Sequence, residues 1–202
     1  MKSEWREKKL VELASYKTGK LNSNAAEENG IYPFFTTAPT TYRINSWAFD
    51  QEAILLGGNN ASGVFTLKMY SGKFNAYQRT YVIAVDETAP INNAYLYYSL
   101  KLQLGLLKDI SIGSATKFLT KPILDNIVIS YPSNYSQMLQ IVECLSSLDS
   151  KIKLNNQMIA TLEELAAILF KRWFVDFEFP DENGNPYKSS GGKMVDSELG
   201  EI

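Results

Sequence analysis

Histidine is missing from the 202 residues of this chain, and cysteine occurs once. Without imidazole the chain cannot build a Ser-His-Asp or Cys-His catalytic site, and it retains too few ligand types for an ordinary zinc site. The lone Cys144 excludes an internal disulfide and suits a reducing compartment, and its helical context predicts a small buried hydrophobe. These absences exclude several classes of enzyme.

Long hydrophobic runs are also lacking. No window approaches the roughly 18 unbroken apolar residues of a membrane span, and the opening MKSEWREKKL has no apolar signal core. Hydrophobic residues nevertheless make up 45% of the chain, which is too many for a wholly disordered protein. The sequence therefore predicts a soluble, cytoplasmic protein with a sizeable core and no membrane partner.

Nucleotide-binding and nuclease motifs are absent as well. The glycine-rich LGGNNASG matches neither the Walker loop nor GxGxxG. FDQEAIL brings Asp50 and Glu52 close together, but no lysine follows two residues later, so it does not support a metal-dependent nuclease. The sequence predicts a non-catalytic chain with no cofactor and no metal site of its own.

The net charge of −2 is divided unevenly along the chain. Residues 1–135 hold 14 Lys and Arg against 11 Asp and Glu, whereas residues 136–202 hold 6 against 11. The first region, at +3, is the better candidate for binding a polyanion, although many solvated surfaces carry a similar excess.

Segments of strand length fill much of the region before Pro132. They are rich in β-branched and aromatic residues and are bounded by Gly, Pro, Asn or Ser. They read YPFFTTA, EAILLGG, GVFTLKMY, RTYVIAV and NIVISYP. These patterns predict the sheet of a mixed α+β domain.

Helices are predicted between these strands. Residues 91–110 place Tyr95, Tyr98, Leu102 and Leu106 at helical spacing. The segment TKPILDNI predicts a shorter helix, with Thr120 as its N-cap and proline in its first turn.

A long helix is predicted after the domain. No Gly or Pro occurs from Ser136, a suitable N-cap, to Val175, so about 40 residues can continue as one helix. Its apolar residues step alternately by four and three positions, as in a coiled coil. The a positions are Leu145, Ile152, Ile159, Ala166 and Trp173, and the d positions are Ile141, Leu148, Asn155, Leu162 and Leu169.

The alternative is an amphipathic helix packed along its own domain. Length favours the coiled coil, because about 40 helical residues span ~60 Å whereas a domain of about 130 residues is only ~30 Å across. Asn155 is the polar exception on this seam, where a polar pair fixes register and orientation. In an antiparallel pair Asn155 would meet its own copy or Asn156, a hypothesis that an unchanged register in Asn155→Leu would contradict.

The order of segments from 111 to 178 resembles a known family. GSATKFLTK, an apolar strand ending in Pro, Gln137, LSSLDSKI, LEELA and FKRWF follow one another as in specificity subunits of Type I restriction-modification systems. The early EWREKKLVELASYKTGK resembles the start of a target-recognition domain in that family. The final SELGEI resembles the linker into a further such domain.

The resemblance implies a half-subunit. Family members typically carry two target-recognition domains, each followed by a long helix, whereas one of each occurs here. The expected architecture is a DNA-binding target-recognition domain (1–135), a long helix forming an antiparallel coiled coil (136–178) and a linker tail (179–202). A homodimer would replace the intramolecular helix pair and would read an inverted repeat in double-stranded DNA.

The resemblance also implies partners. Modification subunits would bring S-adenosylmethionine, and restriction subunits would bring chemistry that uses ATP and Mg²⁺. This chain lacks the Asn-Pro-Pro or Asp-Pro-Pro motif before an aromatic residue that an amino-methyltransferase of this kind needs. The rival interpretation is an interaction module whose coiled coil oligomerises the chain without DNA specificity.

Candidate DNA contacts lie on predicted loops, where phosphates require cations or backbone amides and base edges require bidentate polar groups. The predicted set is Arg43, Asn59, Asn60, Lys73, Gln78, Arg79, Ser114, Lys117 and Lys121. The lysines of GSATKFLTK are assigned to phosphates, because the resembling family shares this segment while its targets differ. The Asn-Asn and Gln-Arg pairs are assigned to base readout.

These assignments have structural alternatives. Asn-Asn between glycines is common in turns, because both residues tolerate a left-handed backbone. Gln78 and Arg79 precede a predicted strand and could instead anchor it.

The helix ends in an aromatic run, LAAILFKRWFVDFEFP. On a helical wheel of 100° per residue, Phe174 and Phe177 lie away from the seam, and such apolar surface needs a cover. Two covers remain open: a hydrophobic socket on the other copy, or modification subunits docking here with Lys171 and Arg172 at the rim.

Substitution of Lys117 is predicted to weaken binding to all DNA sequences and to flatten the salt dependence, because a phosphate contact carries no sequence information. Substitution of Asn60 is predicted to change preference at one base position. Binding of each variant to a panel of single-base target variants checks this division, and an equal loss on every sequence for both substitutions would refute it.

Overall fold

The computed structural model describes residues 4–60, 65–110, 117–198 and 200–201. It divides into a first unit that ends at Leu145 and a second unit that begins at Ser146. Each unit is described by itself.

Twelve short strands form the sheets of the described chain. In chain order they are β1 (Trp5–Lys9), β2 (Ala14–Thr18), β3 (Tyr32–Phe35), β4 (Tyr42–Ile44), β5 (Phe49–Gly57), β6 (Asn59–Asn60), β7 (Leu67–Ala76), β8 (Thr80–Val85), β9 (Lys117–Phe118), β10 (Val128–Pro132), β11 (Asp196–Ser197) and β12 (Gly200–Glu201). The largest sheet has the order β2-β8-β5-β7-β3-β4, and its pairs are antiparallel except β3 with β7. The strands β1 and β10, β6 and β9, and β11 and β12 form separate antiparallel pairs.

Strand β5 is central because both of its faces are buried. Ile54 and Leu56 belong to one hydrophobic cluster, whereas Ala53 and Leu55 belong to another on the opposite face. Side chains alternate along a strand, so the continuous apolar run AILL can fill two cores at once. The sheet therefore has a core on each side.

The larger core contains the helix α1 (Asn93–Ile110) and the start of the long helix α3 (Tyr135–Phe170). Leu96, Leu100 and Leu107 of α1 and Met138 of α3 are fully buried in it. The Tyr95 hydroxyl donates to the carbonyl of Ser130 in β10 at 2.8 Å, which ties α1 to that strand. Burial raises the pKa of Tyr95, so it remains a hydroxyl donor at neutral pH.

The predicted mixed α+β domain followed by a long helix is confirmed. The five predicted strand segments each contain a strand, and α1 covers the predicted helix. The predicted face of α1 was wrong, because Leu102 is 87% exposed and Leu106 is 54% exposed while a neighbouring stripe is buried. α1 thus carries two apolar stripes, and its own core uses one.

The caps differ from those predicted. Thr120 precedes the short helix α2 (Lys121–Asp125), but its side chain makes no capping hydrogen bond. At α3 the cap is Asn134 and not Ser136, because Asn134 Oδ1 accepts from the backbone N–H of Ser136 at 2.9 Å. Cys144 is exposed, contrary to the predicted burial.

The long helix changes geometry at its end. A π-helical turn, Lys171–Val175, follows α3, and the N–H of Asp176 donates to the carbonyl of Lys171. The tail beyond it, predicted as a linker, contains hydrogen-bonded turns in which Asp181 Oδ1 accepts from the N–H groups of Asn183 and Asn185 at 2.8 Å. These bonds, that of Asn185 foremost, lower the pKa of Asp181.

Among the helices of the described chain, none combines the length and the apolar character that a membrane span requires.

Replacement of Leu13 by Ala is expected to lower the free energy of unfolding by about 2–5 kcal/mol, because this fully buried side chain would leave a cavity. The control is Val11→Ala in the same segment, since Val11 is 49% exposed and exposed positions change stability by only about 0.5 kcal/mol. Urea unfolding measures both, and equal losses would contradict the assigned core.

Candidate nucleic-acid and assembly interfaces

A cleft of about 490 Å³ opens where the ends of β2, β5 and β8 meet β9 and α2. We call it the Arg79 cleft. Its lining residues are Thr18, Gly58, Gln78, Arg79, Tyr81, Phe118, Leu119, Thr120 and Lys121. Three of them, Gln78, Arg79 and Lys121, belong to the set predicted from the sequence to bind DNA.

Backbone hydrogen bonds through Gly58 build this cleft. The N–H of Gly58 donates to the carbonyl of Arg79 at 2.7 Å, and the N–H of Leu119 donates to the carbonyl of Gly58 at 2.8 Å. A Cβ atom at Gly58 would stand 2.7 Å from the Arg79 carbonyl oxygen and 2.9 Å from the Tyr81 ring. The glycine therefore lets three segments that are distant in sequence approach closely.

Cations stand over aromatic rings at the cleft. The guanidinium carbon of Arg79 lies 5.4 Å from the centroid of the Phe118 ring, and Lys121 Nζ lies 5.9 Å from that of Tyr16. Such contacts orient a cation while leaving its N–H groups available to another ligand. None of the described residues that line the cleft is acidic, so its field favours an anion.

Tyr81 supports the floor of the cleft. Its hydroxyl donates to the carbonyl of Leu119 at 2.9 Å. Burial raises the pKa of Tyr81, so the group stays a neutral donor and adds no negative charge beside Arg79.

Strand pairing joins two predicted DNA-binding loops. Asn59 pairs with Phe118 and Asn60 pairs with Lys117 across β6 and β9. The side-chain oxygen of Asn59 is buried and accepts no hydrogen bond from the described residues. Its assignment to base readout stays a prediction, and so does that of Asn60.

Gln78 and Ser114 have different outcomes. Gln78 is exposed, and its Nε2 donates to Asn22 Oδ1 at 2.9 Å, so one of its amide hydrogens is already engaged. Ser114 lies outside the described residues.

Arg43 and Lys73 do not line the Arg79 cleft. Arg43 Nη1 donates to the carbonyl of Ile31 at 3.0 Å. Lys73 Nζ lies 4.7 Å from the centroid of the Trp47 ring, and Lys73 pairs in register with Asp50, seven residues along β5 from Gly57. Their DNA contacts stay predictions.

Residues that sequence reasoning missed also line the cleft. Thr18 and Thr120 bring hydroxyls, and Phe118 brings the ring beneath Arg79. The signal for Phe118 was its position inside GSATKFLTK, directly after a lysine assigned to DNA. The described residues include no group of His, Cys, Asp and Glu side chains that could hold a metal ion.

The predicted heptad seam is exposed along most of α3. Ile152 is 57% exposed and Leu162 is 60% exposed, and Leu148 and Ile159 are similar. At its start, Ile141 packs partly against the larger core. Asn155 and Ala166 are exposed with their neighbours, and Leu145 is half-buried. The seam is available to another helix.

A second apolar stripe runs beside this seam. Leu154, Met158, Leu165, Ile168 and Val175 occupy c and g positions and are each about half exposed, between 49% and 58%. Two adjacent stripes make an apolar face wider than the seam of a two-stranded coiled coil. Such a face is typical of a helix with more than one helical neighbour.

The aromatic end divides into two parts. Phe174 is 63% exposed and its ring lies 5.2 Å from that of Phe170. Phe177 lies beyond the helix with φ of 56° and is half-buried, with Lys188 Nζ 6.0 Å from its ring centroid. The helical wheel misplaced Phe177 because the π-helical turn, which carries Lys171 and Arg172, ends before it.

Comparison with protein families gives one match. The model of the Type I restriction modification DNA specificity domain matches residues 2–164. Among curated proteins, the specificity subunit of the Type I restriction enzyme EcoDI from Escherichia coli is 38% identical over 193 residues, covering 91% of this chain and 41% of that protein. The MjaVIII specificity subunit from Methanocaldococcus jannaschii is 26% identical and covers 98% of this chain and 46% of its own length.

Solved structures share the fold. The S subunit of a Type I restriction-modification system from M. genitalium aligns with a TM-score of 0.76 at 17% identity, covering 86% of this chain and 46% of that one. The HsdS subunit from Thermoanaerobacter tengcongensis aligns with a TM-score of 0.55 at 17% identity, covering 83% and 44%. The chain thus spans about half the length of the relatives it matches.

Replacement of Gly58 by Ala is expected to lower the free energy of unfolding by about 1–3 kcal/mol, because the new methyl group overpacks against Arg79 and Tyr81. Gly105→Ala is the matched control: its Cβ meets nothing within 4 Å in α1, so we expect stabilisation of about 0.4–1 kcal/mol. Thermal unfolding distinguishes the two, and a neutral Gly58→Ala would contradict the close approach.

Proposed function

This chain belongs to the Type I restriction modification DNA specificity domain family, and on that premise we propose that it recognises a DNA target for a Type I restriction-modification complex. The Arg79 cleft is the observation that carries the proposal at the level of residues. It combines two cations, exposed amide and hydroxyl groups and an aromatic ring, with no acidic lining among the described residues. This composition suits a sugar-phosphate backbone beside a groove.

The contacts divide by chemistry. Lys121 is a point charge at the start of α2 and suits a phosphate, which carries no sequence information. Arg79 has a planar fork that can bind guanine in the major groove, with the Phe118 ring holding its orientation. Asn60 and Lys117 extend the same surface across the pairing of β6 with β9.

The dimer follows from the apolar seam of α3. Two copies that pair antiparallel would bury it and would bring Asn155 to the centre. Two copies also match the length of the relatives, of which this chain covers 41% and 46%. A homodimer would carry two identical recognition domains and would read an inverted repeat. Monomeric behaviour in sedimentation at micromolar concentration would contradict it.

The second stripe of α3 supports a further partner. A pair of identical helices joined through a and d positions leaves the c and g positions to another protein. We assign that role to modification subunits, which bring S-adenosylmethionine, and restriction subunits follow with ATP and Mg²⁺. This chain then supplies specificity without catalysis.

The test is selection of bound sequences from a randomised DNA pool. Wild type is expected to enrich an inverted repeat, and binding is expected to weaken steeply with salt. Lys121→Ala is expected to reduce the salt slope by about 0.9, the value for one lost phosphate contact. The control is Lys153→Ala on an exposed b position of α3, which should change neither.

Two results would contradict the proposal. Enrichment of no sequence, with binding that is insensitive to salt, would leave the chain an interaction module. Turnover of labelled DNA by the pure chain with Mg²⁺ or S-adenosylmethionine would contradict the non-catalytic role.

A further inference from the structure

An apolar groove of about 650 Å³ lies in the first unit between α1, the β1–β10 pair and the first turns of α3. From α1 it takes Leu102, 87% exposed, with Leu106 and Ile110. From the strands it takes Trp5, 52% exposed, and Val128, 45% exposed. Apolar side chains gathered in this way on a surface mark an interaction site.

The groove is continuous with the heptad seam. Ile141 and Leu145 line it, and they are the first d and a positions of the seam. A helix that pairs with α3 along the seam therefore arrives at the groove without changing direction. This continuity limits the choice of occupant to something that follows the seam.

The antiparallel register decides which part of a second copy arrives there. If Asn155 of one copy faces Asn155 of the other, Leu169 of the second copy stands opposite Ile141. The next turn of the second copy carries Trp173 and Phe174, and it lies beside the beginning of α3. The aromatic end of one chain thus meets the groove of the other.

The two surfaces are chemically complementary. Phe170, Phe174 and Val175 are 58% to 63% exposed and present a compact apolar tip. The π-helical turn also carries the cations Lys171 and Arg172, and Glu7 lies on the wall of the groove. Aromatic anchors in an apolar pocket with charged residues at the edge are typical of energetically important contacts between proteins.

We propose that the apolar groove of each copy receives the Phe170–Val175 aromatic tip of a second copy, which creates two equivalent sockets in the dimer. The inference rests on the homodimer of the proposed function and names its end contacts. It assigns the tip to the second copy and not to modification subunits. The sockets would fix the distance between the two recognition domains, because they anchor both ends of the helix pair.

A double-mutant cycle tests the contact. Leu102→Ala and Phe174→Ala are each expected to raise the dimer dissociation constant about tenfold, the effect of losing roughly 1.4 kcal/mol at an interface anchor. The double variant is expected to raise it by clearly less than the product, because both changes remove one contact. The control is Ile31→Ala, also exposed but outside the groove, which should change nothing.

Cross-linking between chains gives an independent readout. One tagged copy carries Leu102→Cys and another carries Phe174→Cys, both with Cys144→Ser, and a short bismaleimide joins nearby thiols. A product with both tags is expected, whereas Ile31→Cys in place of Leu102→Cys should give none. Circular dichroism confirms that each variant is folded.

The outcomes separate this inference from the proposed function. Multiplicative effects in the cycle and no cross-link, in a dimer that still selects DNA, would overturn the socket alone. Loss of the cross-link on adding modification subunits, with the dimer mass unchanged, would give the tip to those subunits and would also overturn it. A monomeric chain that selects no DNA would remove the proposed function itself.

Discussion

The apolar face of α3 cannot be left to water, and most of the account depends on what covers it. Along most of its length the chain itself leaves the seam more than half exposed, as at Ile152 and Leu162. A second stripe beside the seam widens this face. Each buried apolar side chain of this size contributes about 1.5–3 kcal/mol, so a helix with this pattern is built for association. Its heptad spacing then favours another helix as the partner.

The recognition unit has a different logic, in which strands hold the candidate contacts in place. β5 is buried on both faces, and its end at Gly57 pairs with Thr80 of β8. Arg79 therefore comes directly before a fixed register position and not from the middle of a long loop. The bonds through Gly58 tie β8 to the segment after β9. A site built on such elements holds its side chains more precisely than a site on free loops.

Sequence patterns predicted the elements whose residues follow one period. The heptads of α3 and the apolar runs of β5 and β8 were of this kind, because burial dictates their spacing. β1 was missed because all five of its residues are exposed and three of them are charged, so nothing in WREKK alternates. The face of α1 was predicted wrongly because that helix has two apolar stripes, and sequence alone does not say which one the core takes.

The candidate site was predictable only in part. Residue chemistry marked Gln78, Arg79 and Lys121, but their gathering with Phe118 depends on pairing between β6 and β9, which are far apart in sequence. Arg43 and Lys73 have the same chemistry and lie outside the cleft, because strand register decides where a cation stands. The break in helical geometry at Lys171 was likewise invisible to a wheel of constant pitch.

Footprinting on DNA tests the central claim most directly, since the account holds that two identical recognition domains are separated by a stiff helix pair. Hydroxyl radicals would cleave a selected target in the presence of the protein alone. The account predicts two protected segments of inverted-repeat sequence with an unprotected gap of constant length between them. A single protected half-site at saturating protein would contradict it.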